Sequence, residues 1–496
     1  MQLLLPKINK KGTLAFAVSL LTLGLVIAGC TSPVTSTSST SNIIPNTNTS
    51  TTPVRITDAP GDQVLAASLT LNSLILTDNT GKVTTNLLPA NGITFEATHL
   101  DAVQEPFFIP AIPEDTYVSA TLTYSNAQVA YVDSSTHTVD LVTATLANTS
   151  QTITFTAPVT ISNTTTTLLV DYMVANSVAI SGSTVTVTPQ FNVAAVPIPS
   201  TVATTHKGKV TAISTSTNSF TMTDPNGTAQ TIYVNASTVF SPSPFTNVLC
   251  QGVSCLSMLQ VNALVEVDTV ITPNSSTTPP PGSLLATRVE VDDIGTTAPK
   301  LLLGPVTSRT PTATGTPATS FNMMIRQLVG NNSATAVETV DVSVTGSTNF
   351  LLPPRYAVFA TAAALPFTPS FTSSTIFAGQ HVGVVTTSTG VTSGSATATT
   401  VLLQPQTIDG VITNIAYSGG YTVYTVTLPA GHWLATLTGQ TTVLVYTNNM
   451  VVIPLSTAPP AVSATMRFNG YLFNVSNQLR LLACVQAGPP GPPIII

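Results

Sequence analysis

The sequence predicts an all-β protein, with a β-sandwich followed by about three small β-barrel-like repeat domains. Thr and Val are abundant, and their β-branched side chains disfavour helices and suit a pleated surface. Runs such as residues 118–124 alternate apolar and hydroxylic side chains, which places one face on a core and the other in water. Turn signals such as residues 78–81 separate these runs, as expected for consecutive short strands.

The first 29 residues have the features of a signal peptide. A short basic segment contains Lys7, Lys10 and Lys11, and the apolar run at residues 14–27 follows it. This run is shorter than the ~20 residues that a membrane-spanning helix needs, and it therefore indicates an export signal.

The export signal ends in Ile27-Ala28-Gly29-Cys30, which resembles a bacterial lipobox. The resemblance implies that the Cys30 thiol carries a lipid and, with fatty acyl chains such as palmitate, anchors the protein to a membrane. A buried structural cysteine is the alternative, which the position and the flanking residues disfavour. Thr31 in place of Asp after the cysteine resembles the sorting pattern that favours the outer membrane, so the expected location is the bacterial cell envelope.

Composition limits the partners of this 496-residue chain. Only 7% of the residues are charged, the formal net charge is -6, and the 14 Lys and Arg residues do not cluster after the signal peptide. Nucleic acid is therefore not expected as a partner. Residues 30–52, from the lipidated cysteine onward, are rich in Ser, Thr and Asn and predict a flexible tether with a reach of roughly 25 Å.

Residues 53–198 are expected to form the sandwich domain. Leu69 and Leu71 are out of phase with Leu74 and Leu76, which predicts a β-bulge at residues 72–73. Alternation along residues 168–172 places Asp171 on the face opposite Leu168, Val170 and Tyr172, and predicts that it points outward.

Three segments of this domain resemble a bacterial lipoprotein family, domain of unknown function 4382. They are residues 54–60, residues 109–117, and residues 168–172 together with residues 176–178. The resemblance implies an Ig-like or transthyretin-like sandwich at the cell surface, and it implies no activity.

The remainder is interpreted as three diverged copies of one unit, at residues 204–295, 300–405 and 406–487. The copies begin at Gly208, Gly304 and Gly410, each followed by a branched apolar residue and then an aromatic-led strand. They resemble the small repeated β-barrel of exported proteins known as domain of unknown function 5666. The third copy is the weakest match, and the sequence leaves open whether it is a true copy. Residues 488–496 form a Pro/Gly tail, expected to be extended.

Three cysteines remain besides Cys30. Cys250 and Cys255 lie in a short Gly-containing segment, where export favours a disulfide over two free thiols. Cys484 lies in an apolar run and is expected to be a buried thiol.

No local motif indicates catalysis or a cofactor. The sequence contains no Gly-rich phosphate loop, zinc-ligand spacing, nucleophile elbow or EF-hand loop, and its five histidines are scattered. We therefore predict no catalytic residue and no cofactor.

Some residue groups are weaker candidates for binding. Asp58 and Asp62 can together hold a calcium ion, although capping of the intervening turn by Asp58 is favoured. The acids at residues 290, 292 and 293 are interpreted as solvated linker acids in preference to a metal site.

Aromatic residues provide a second weak signal. Trp433, with Tyr421 and Tyr424, can form a platform for stacking on a sugar ring, although a core tryptophan is the favoured alternative.

Two classes of function remain after these exclusions. The first is a non-enzymatic surface lipoprotein whose β-domains bind a glycan, a polymer or an envelope protein, or act as a spacer. The alternative is an exported enzyme, such as a hydrolase, with an unrecognised site. One deep pocket with converging titratable groups favours the enzyme, whereas shallow faces and exposed sheet edges favour the binding protein or spacer.

Overall fold

A computed structural model describes residues 43–487, except for short segments within that range. The segments outside the description are residues 45–48, 53, 60–61, 102–104, 109, 163–165, 198–203, 226, 242–248, 273–275, 294–299, 314, 330–334, 354–355, 357–359, 361–363, 388, 450 and 452–458. The described chain is almost entirely β, which confirms the predicted fold class. The signal peptide, Cys30, residues 31–42 and the tail at residues 488–496 lie outside the described residues.

The sandwich contains strands β1 to β14, a 3-10 helix at Thr98–Leu100 and helix α1 at Val174–Ser177. The strands are β1 Thr49–Thr51, β2 Val54–Ala59, β3 Val64–Asp78, β4 Ile93–Glu96, β5 Glu105–Phe108, β6 Ala111–Pro113, β7 Asp115–Val132, β8 Val139–Thr143, β9 Thr145–Leu146, β10 Ser150–Ile161, β11 Thr166–Met173, β12 Val178–Ser181, β13 Thr184–Val187 and β14 Phe191–Pro197.

Two main sheets face each other in the sandwich. One has the strand order β10-β7-β3-β4, with β8 on β7, and the other has the order β14-β11-β2-β5. Two small sheets, β1-β6 and β12-β13-β9, lie outside these orders. Side chains such as Leu122, Tyr124, Val170 and Phe191 fill the core between the main sheets.

The bulge predicted in β3 is present. The register between β3 and β7 shifts between Leu71 and Ser73, and the extra residue, Asn72, is exposed. The shift turns all four flanking leucines into the core. The alternation of the sequence therefore identified the bulge correctly.

The predicted tether is shorter than its Ser/Thr/Asn composition indicated. Thr49–Thr51 pair with β6, and Ile44 is buried and donates its backbone N–H to Val83 O at 2.9 Å. Backbone pairing of an edge strand does not depend on apolar side chains, so the composition could not reveal it.

The rest of the described chain contains strands β15 to β33, a 3-10 helix at Val253–Met258 and helix α2 at Trp433–Thr438. The strands are β15 Thr204–Ser214, β16 Ser219–Thr223, β17 Ala229–Tyr233, β18 Val239–Ser241, β19 Cys250–Gln251, β20 Leu264–Ile271, β21 Leu284–Asp293, β22 Lys300–Thr310, β23 Ser320–Ile325, β24 Gln327–Val329, β25 Glu338–Ser343, β26 Asn349–Leu351, β27 His381–Thr386, β28 Ser395–Leu403, β29 Gln406–Ser418, β30 Tyr421–Thr427, β31 Thr442–Thr447, β32 Thr465–Val475 and β33 Gln478–Ala487.

These strands form three five-stranded rings with one connectivity. Barrel 1 closes as β15-β16-β17-β21-β20, barrel 2 as β22-β23-β25-β28-β27, and barrel 3 as β29-β30-β31-β33-β32. Counted in chain order, the third and fifth strands of each ring are parallel neighbours, and all other neighbouring pairs in the ring are antiparallel. This is a five-stranded Greek-key barrel of OB-fold type. The third unit therefore shares the topology of the other two.

A glycine near the middle of each first strand explains the repeated sequence pattern. A Cβ atom added at Gly208, Gly304 or Gly410 would clash with a backbone carbonyl of the second strand. The carbonyls belong to Thr223, Met324 and Thr427. In all three barrels a bulge follows the glycine. Near this point the first strand stops pairing with one neighbouring strand and begins to pair with the other.

The sandwich, barrel 2 and barrel 3 share a hydrophobic core. Leu65 and Ala66 of β3 pack in one cluster with Met324 and Phe377 of barrel 2 and with the interior of barrel 3. Barrel 1 contacts barrel 2 through a smaller cluster that includes Leu264. None of the described helices has the length and apolar character needed to cross a bilayer.

Candidate functional site

A polar cavity lies where the sandwich, barrel 2 and barrel 3 meet. Its volume is about 40 Å³, which is room for a few water molecules. Three histidines and three aspartates line it, namely His99, His381, His432, Asp62, Asp101 and Asp409. We call this site the junction cavity.

Arg326 of barrel 2 contacts both the sandwich and barrel 3. Its Nε and Nη2 atoms donate to the Leu65 carbonyl of the sandwich at 2.9 and 2.6 Å. The guanidinium lies 5.6 Å from the ring centroid of Trp433 in barrel 3. Burial lowers the pKa of Arg326, while Glu96 and Asp101 favour its charged form. The side chain therefore links barrel 2 to the sandwich and lies next to helix α2 of barrel 3.

Trp433 begins helix α2 and is buried, with 7% of its surface exposed. Its backbone N–H donates to Asp62 O at 2.7 Å, which attaches the helix to the sandwich. Near the end of the same helix, Thr436 O lies 2.9 Å from His137 Nδ1. Trp433 is thus a contact between domains.

The proposed aromatic platform is therefore wrong, because Tyr421 and Tyr424 are buried as well as Trp433. Tyr424 stacks on Phe468 with ring centroids 5.4 Å apart, inside barrel 3. The inward-facing positions of a small barrel must be filled by side chains, and Tyr424 and Phe468 fill two of them, whereas Tyr421 packs in a cluster with residues of barrel 2.

His432 uses both ring nitrogens within the protein. Its Nδ1 accepts the Leu434 backbone N–H at 3.1 Å, capping helix α2, so the neutral ring carries its proton on Nε2. The Nε2 atom donates to Asp409 Oδ1 at 3.2 Å. The Asp–His pair therefore has a positioning role for the helix.

His99 is held between two carboxylates. Its Nδ1 lies 3.1 Å from Glu96 Oε2, and its Nε2 lies 3.2 Å from Glu105 Oε2. Burial alone lowers the pKa of His99, but Glu105 and Glu96 outweigh burial and raise it to about 9. His99 is therefore a charged, fully bonded bridge at neutral pH.

Asp101 connects the sandwich to barrel 3. Its Oδ1 accepts from Arg467 Nη1 at 3.2 Å, and its backbone carbonyl accepts from Thr407 Oγ1 at 2.8 Å. Burial raises the pKa of Asp101 to about 7, although Arg467 favours the charged form.

His381 differs from the other two histidines. Its Nδ1 lies 3.0 Å from Pro405 O, and because a carbonyl only accepts, the proton is on Nδ1. Its Nε2 is buried and has no hydrogen-bond partner among the described residues. Burial and Arg326 lower the pKa of His381 to about 3. The ring therefore stays neutral and leaves one basic nitrogen unbonded.

Asp171 is buried, contrary to the prediction that it faces outward. Strand alternation does place it opposite Leu168, Val170 and Tyr172, but that second face is covered too. Neither carboxylate oxygen has a hydrogen-bond partner among the described residues. Burial raises its pKa to about 6, and Arg467 of barrel 3 opposes the increase.

Asp58 and Asp62 lie in different surroundings. Asp58 is buried and accepts the Val174 backbone N–H at 3.0 Å, so its observed bond is not to the turn that follows it. Burial raises its pKa well above the usual range. Asp62 lies instead at the junction cavity, where burial and Asp409 raise its pKa. The described residues contain no group of three His, Cys, Asp or Glu side chains arranged for a metal ion.

The acids of barrel 1 are also buried, contrary to the prediction of solvated linker acids. Glu290 accepts from Arg288 Nη2 at 2.8 Å, and the buried ammonium group of Lys207 bonds to Glu266 and lies 3.9 Å from Asp292 Oδ2. They are part of an ionic network on the barrel wall. The side chain of Asp293 lies outside the described residues.

A disulfide joins Cys250 and Cys255, and Cys484 is a buried free thiol. The disulfide lies in a segment, residues 249–261, that we call the stapled loop. This loop carries four of the nine large apolar side chains that the described chain exposes.

The chemistry that the junction cavity can support is limited by its volume and by its bonds. A drug-sized or sugar-sized ligand needs several hundred Å³. His99 and His432 are fully bonded, and the Thr98 hydroxyl is bonded to Glu96 and Leu65 O. The cavity has the titratable groups of an enzyme site without the space for a substrate.

Arg326, Asp101, Asp409 and Arg467 were missed because they come from distant parts of the sequence. Asp101 and Arg467, which are bonded, are 366 residues apart. One signal was available, because Arg326, Asp409 and Arg467 are single charges inside apolar strand segments of a chain with very few charges. Such a residue is buried only with partners.

Comparison with models of known protein families and with curated protein sequences gives no match to the chain.

Proposed function

We propose that the protein is a bacterial envelope lipoprotein, anchored through lipidated Cys30 at the outer membrane, whose β-domains form a non-enzymatic body. The body binds a glycan, a polymer or an envelope protein, or acts as a spacer. The lipobox-like sequence supports the anchor, and the resemblance to domains of unknown function 4382 and 5666 supports a surface location.

The observation that carries the non-enzymatic part is how the junction residues are used. Arg326, His99 and His432 use polar atoms in hydrogen bonds and ion pairs between or within the domains. The remaining space is about 40 Å³. This arrangement supports a rigid body that presents surfaces, in preference to a body that encloses a substrate.

Metabolic labelling with an alkyne fatty acid tests the anchor in the expressing bacterium. We expect the parent protein to be labelled and to sediment with membranes, and Cys30→Ser to lose both properties. Cys484→Ser is the matched control and should keep the label, because Cys484 is buried. Label that persists in Cys30→Ser would refute the lipid anchor.

A glycan array and a pull-down from envelope extracts test the body. Retention of one polymer or protein class indicates binding, and retention of none indicates a spacer. The Trp433→Ala variant is not a suitable probe, because this side chain is buried in the junction.

An exported hydrolase is the second candidate, and the observation that favours it is the unbonded Nε2 of His381. A panel of ester and glycoside substrates tests this candidate. Turnover that is lost in His381→Gln and retained in His137→Gln would replace the non-enzymatic proposal, because His137 lies outside the cavity.

A further inference from the structure

The stapled loop exposes an unusual amount of aliphatic surface. Leu249, Val253, Met258 and Val261 each expose between 40% and 60% of their surface. The other large exposed apolar residues are distributed over the sandwich and barrel 3. Isolated apolar side chains are normal on a protein surface, but four within 13 residues concentrate exposed aliphatic surface on one loop, which is typical of a contact site.

The loop is ordered before it meets any partner. The disulfide closes its first half, and a 3-10 helix at Val253–Met258 follows. On the inner side, Cys255, Leu256 and Leu259 pack into the core of barrel 1. The backbone of the loop therefore loses little conformational freedom when its exposed side chains are buried, which favours binding.

Charge is absent from the loop and its sequence neighbours. No Asp, Glu, Lys or Arg occurs between Asp224 and Glu266. Protein interfaces usually have a polar and charged rim around their apolar centre. Because the loop itself carries no charge, it is suited to the apolar boundary of a lipid bilayer, where a charge would be costly.

The anchor places a bilayer within reach. The described chain starts at Ile43, 13 residues after Cys30, and 13 residues span at most about 45 Å when fully extended. A compact body of this size has a radius of gyration of about 23 Å. The proposed anchor thus keeps Ile43 within about 45 Å of the bilayer, which is about twice that radius, so the body stays close to the membrane.

We propose that the stapled loop is a second, reversible membrane contact, in which its aliphatic side chains insert into the interfacial region of a lipid bilayer. This inference rests on the proposed membrane anchoring through Cys30. It gives barrel 1 a role that the sandwich and the junction do not have. It also makes the contact independent of anionic lipid, because no basic residue takes part.

Flotation of the mature chain, residues 30–496 with Cys30→Ser, on phosphatidylcholine vesicles tests the proposal without the acyl chains. We expect the disulfide-bonded protein to float with the vesicles equally at low and high salt. The double variant Val253→Asp and Met258→Asp should lower the bound fraction by about tenfold or more. Two aliphatic groups that would insert into the bilayer become charges.

Tyr417→Asp is the matched control, because Tyr417 is 82% exposed on barrel 3, outside the loop. It should bind as the parent does. An unchanged thermal midpoint for both variants shows that folding is not the cause. Cys250→Ser with Cys255→Ser should also weaken binding, because the loop is no longer closed.

Equal flotation of the parent and the double variant would overturn the proposal, and so would a parent that does not float. Capture of an envelope protein by the loop in place of lipid would overturn it in favour of a protein partner. Fatty-acid labelling at Cys30 without flotation removes only the loop contact, whereas flotation without labelling removes only the anchor.

Discussion

Asp171 shows how far the alternation of a single strand can mislead. The pattern correctly assigned the face of β11 on which this carboxyl lies, but it could not show that the face is covered. A strand sequence reports which side chains share a face, and not what packs against it. The same limit explains the acids of barrel 1, which are buried on the barrel wall.

The buried carboxyl of Asp171 predicts a gain in stability at alkaline pH when its charge is removed. The folded pKa of about 6 lies above the ordinary aspartate value of 3.8, so the carboxyl favours folding below pH 3.8. This contribution is lost as the pH rises through about 6. We expect Asp171→Asn to raise the free energy of unfolding by about 1–3 kcal/mol at pH 8, and by much less at pH 4.

Urea denaturation at the two pH values measures this difference. Asp341→Asn is the control, because Asp341 is exposed on β25, where a substitution changes stability by about 0.5 kcal/mol or less. A loss of stability in Asp171→Asn at pH 8 would show that the charged carboxylate is stabilised by its surroundings.

At the scale of the elements, the repeated glycines were the most informative sequence signal. They predicted three copies, and the structure supplies the reason in the close approach of each glycine to a carbonyl. The β3 bulge was predictable because leucine phase reports it directly. The pairing of β1 was not, because Thr49–Thr51 contribute mainly backbone hydrogen bonds, which no side-chain pattern encodes.

The glycine of barrel 2 provides a test with an internal control. Gly304→Ala should lower the free energy of unfolding by about 2–4 kcal/mol, because the added methyl group clashes with the Met324 carbonyl. Gly346→Ala in the same barrel should change it by less than about 1 kcal/mol, since no atom lies within 4 Å of the added Cβ. Thermal and urea denaturation of both variants measure the difference. Equal effects would mean that β22 can move away from β23 at little cost.

At the scale of the whole molecule, Arg326 predicts cooperativity between the domains. The shared core leads us to expect that the sandwich, barrel 2 and barrel 3 unfold together. Arg326→Met should cost about 3 kcal/mol or more, because it removes two donors to Leu65 O and a buried cation close to Glu96 and Asp101. It should also split the calorimetric transition into two.

Arg288→Met is the comparison for this experiment. Arg288 pairs with Glu290 inside barrel 1, away from the Arg326 contacts, so its loss should leave the shared transition intact. One undivided transition in Arg326→Met would assign the cooperativity to the shared apolar core alone.

The junction sets an order of events for the folding of a chain that is synthesised from its N-terminus. Asp101 is synthesised early, but its partner Arg467 lies 366 residues later. Contacts over such long separations form slowly. Until barrel 3 has been synthesised, Leu65 lacks its packing partners in that barrel, and the sandwich exposes an apolar flank that includes this side chain. Folding of this protein is therefore complete only when its last strands have formed. A nascent chain that stalls before residue 467 would expose that flank to chaperones and proteases.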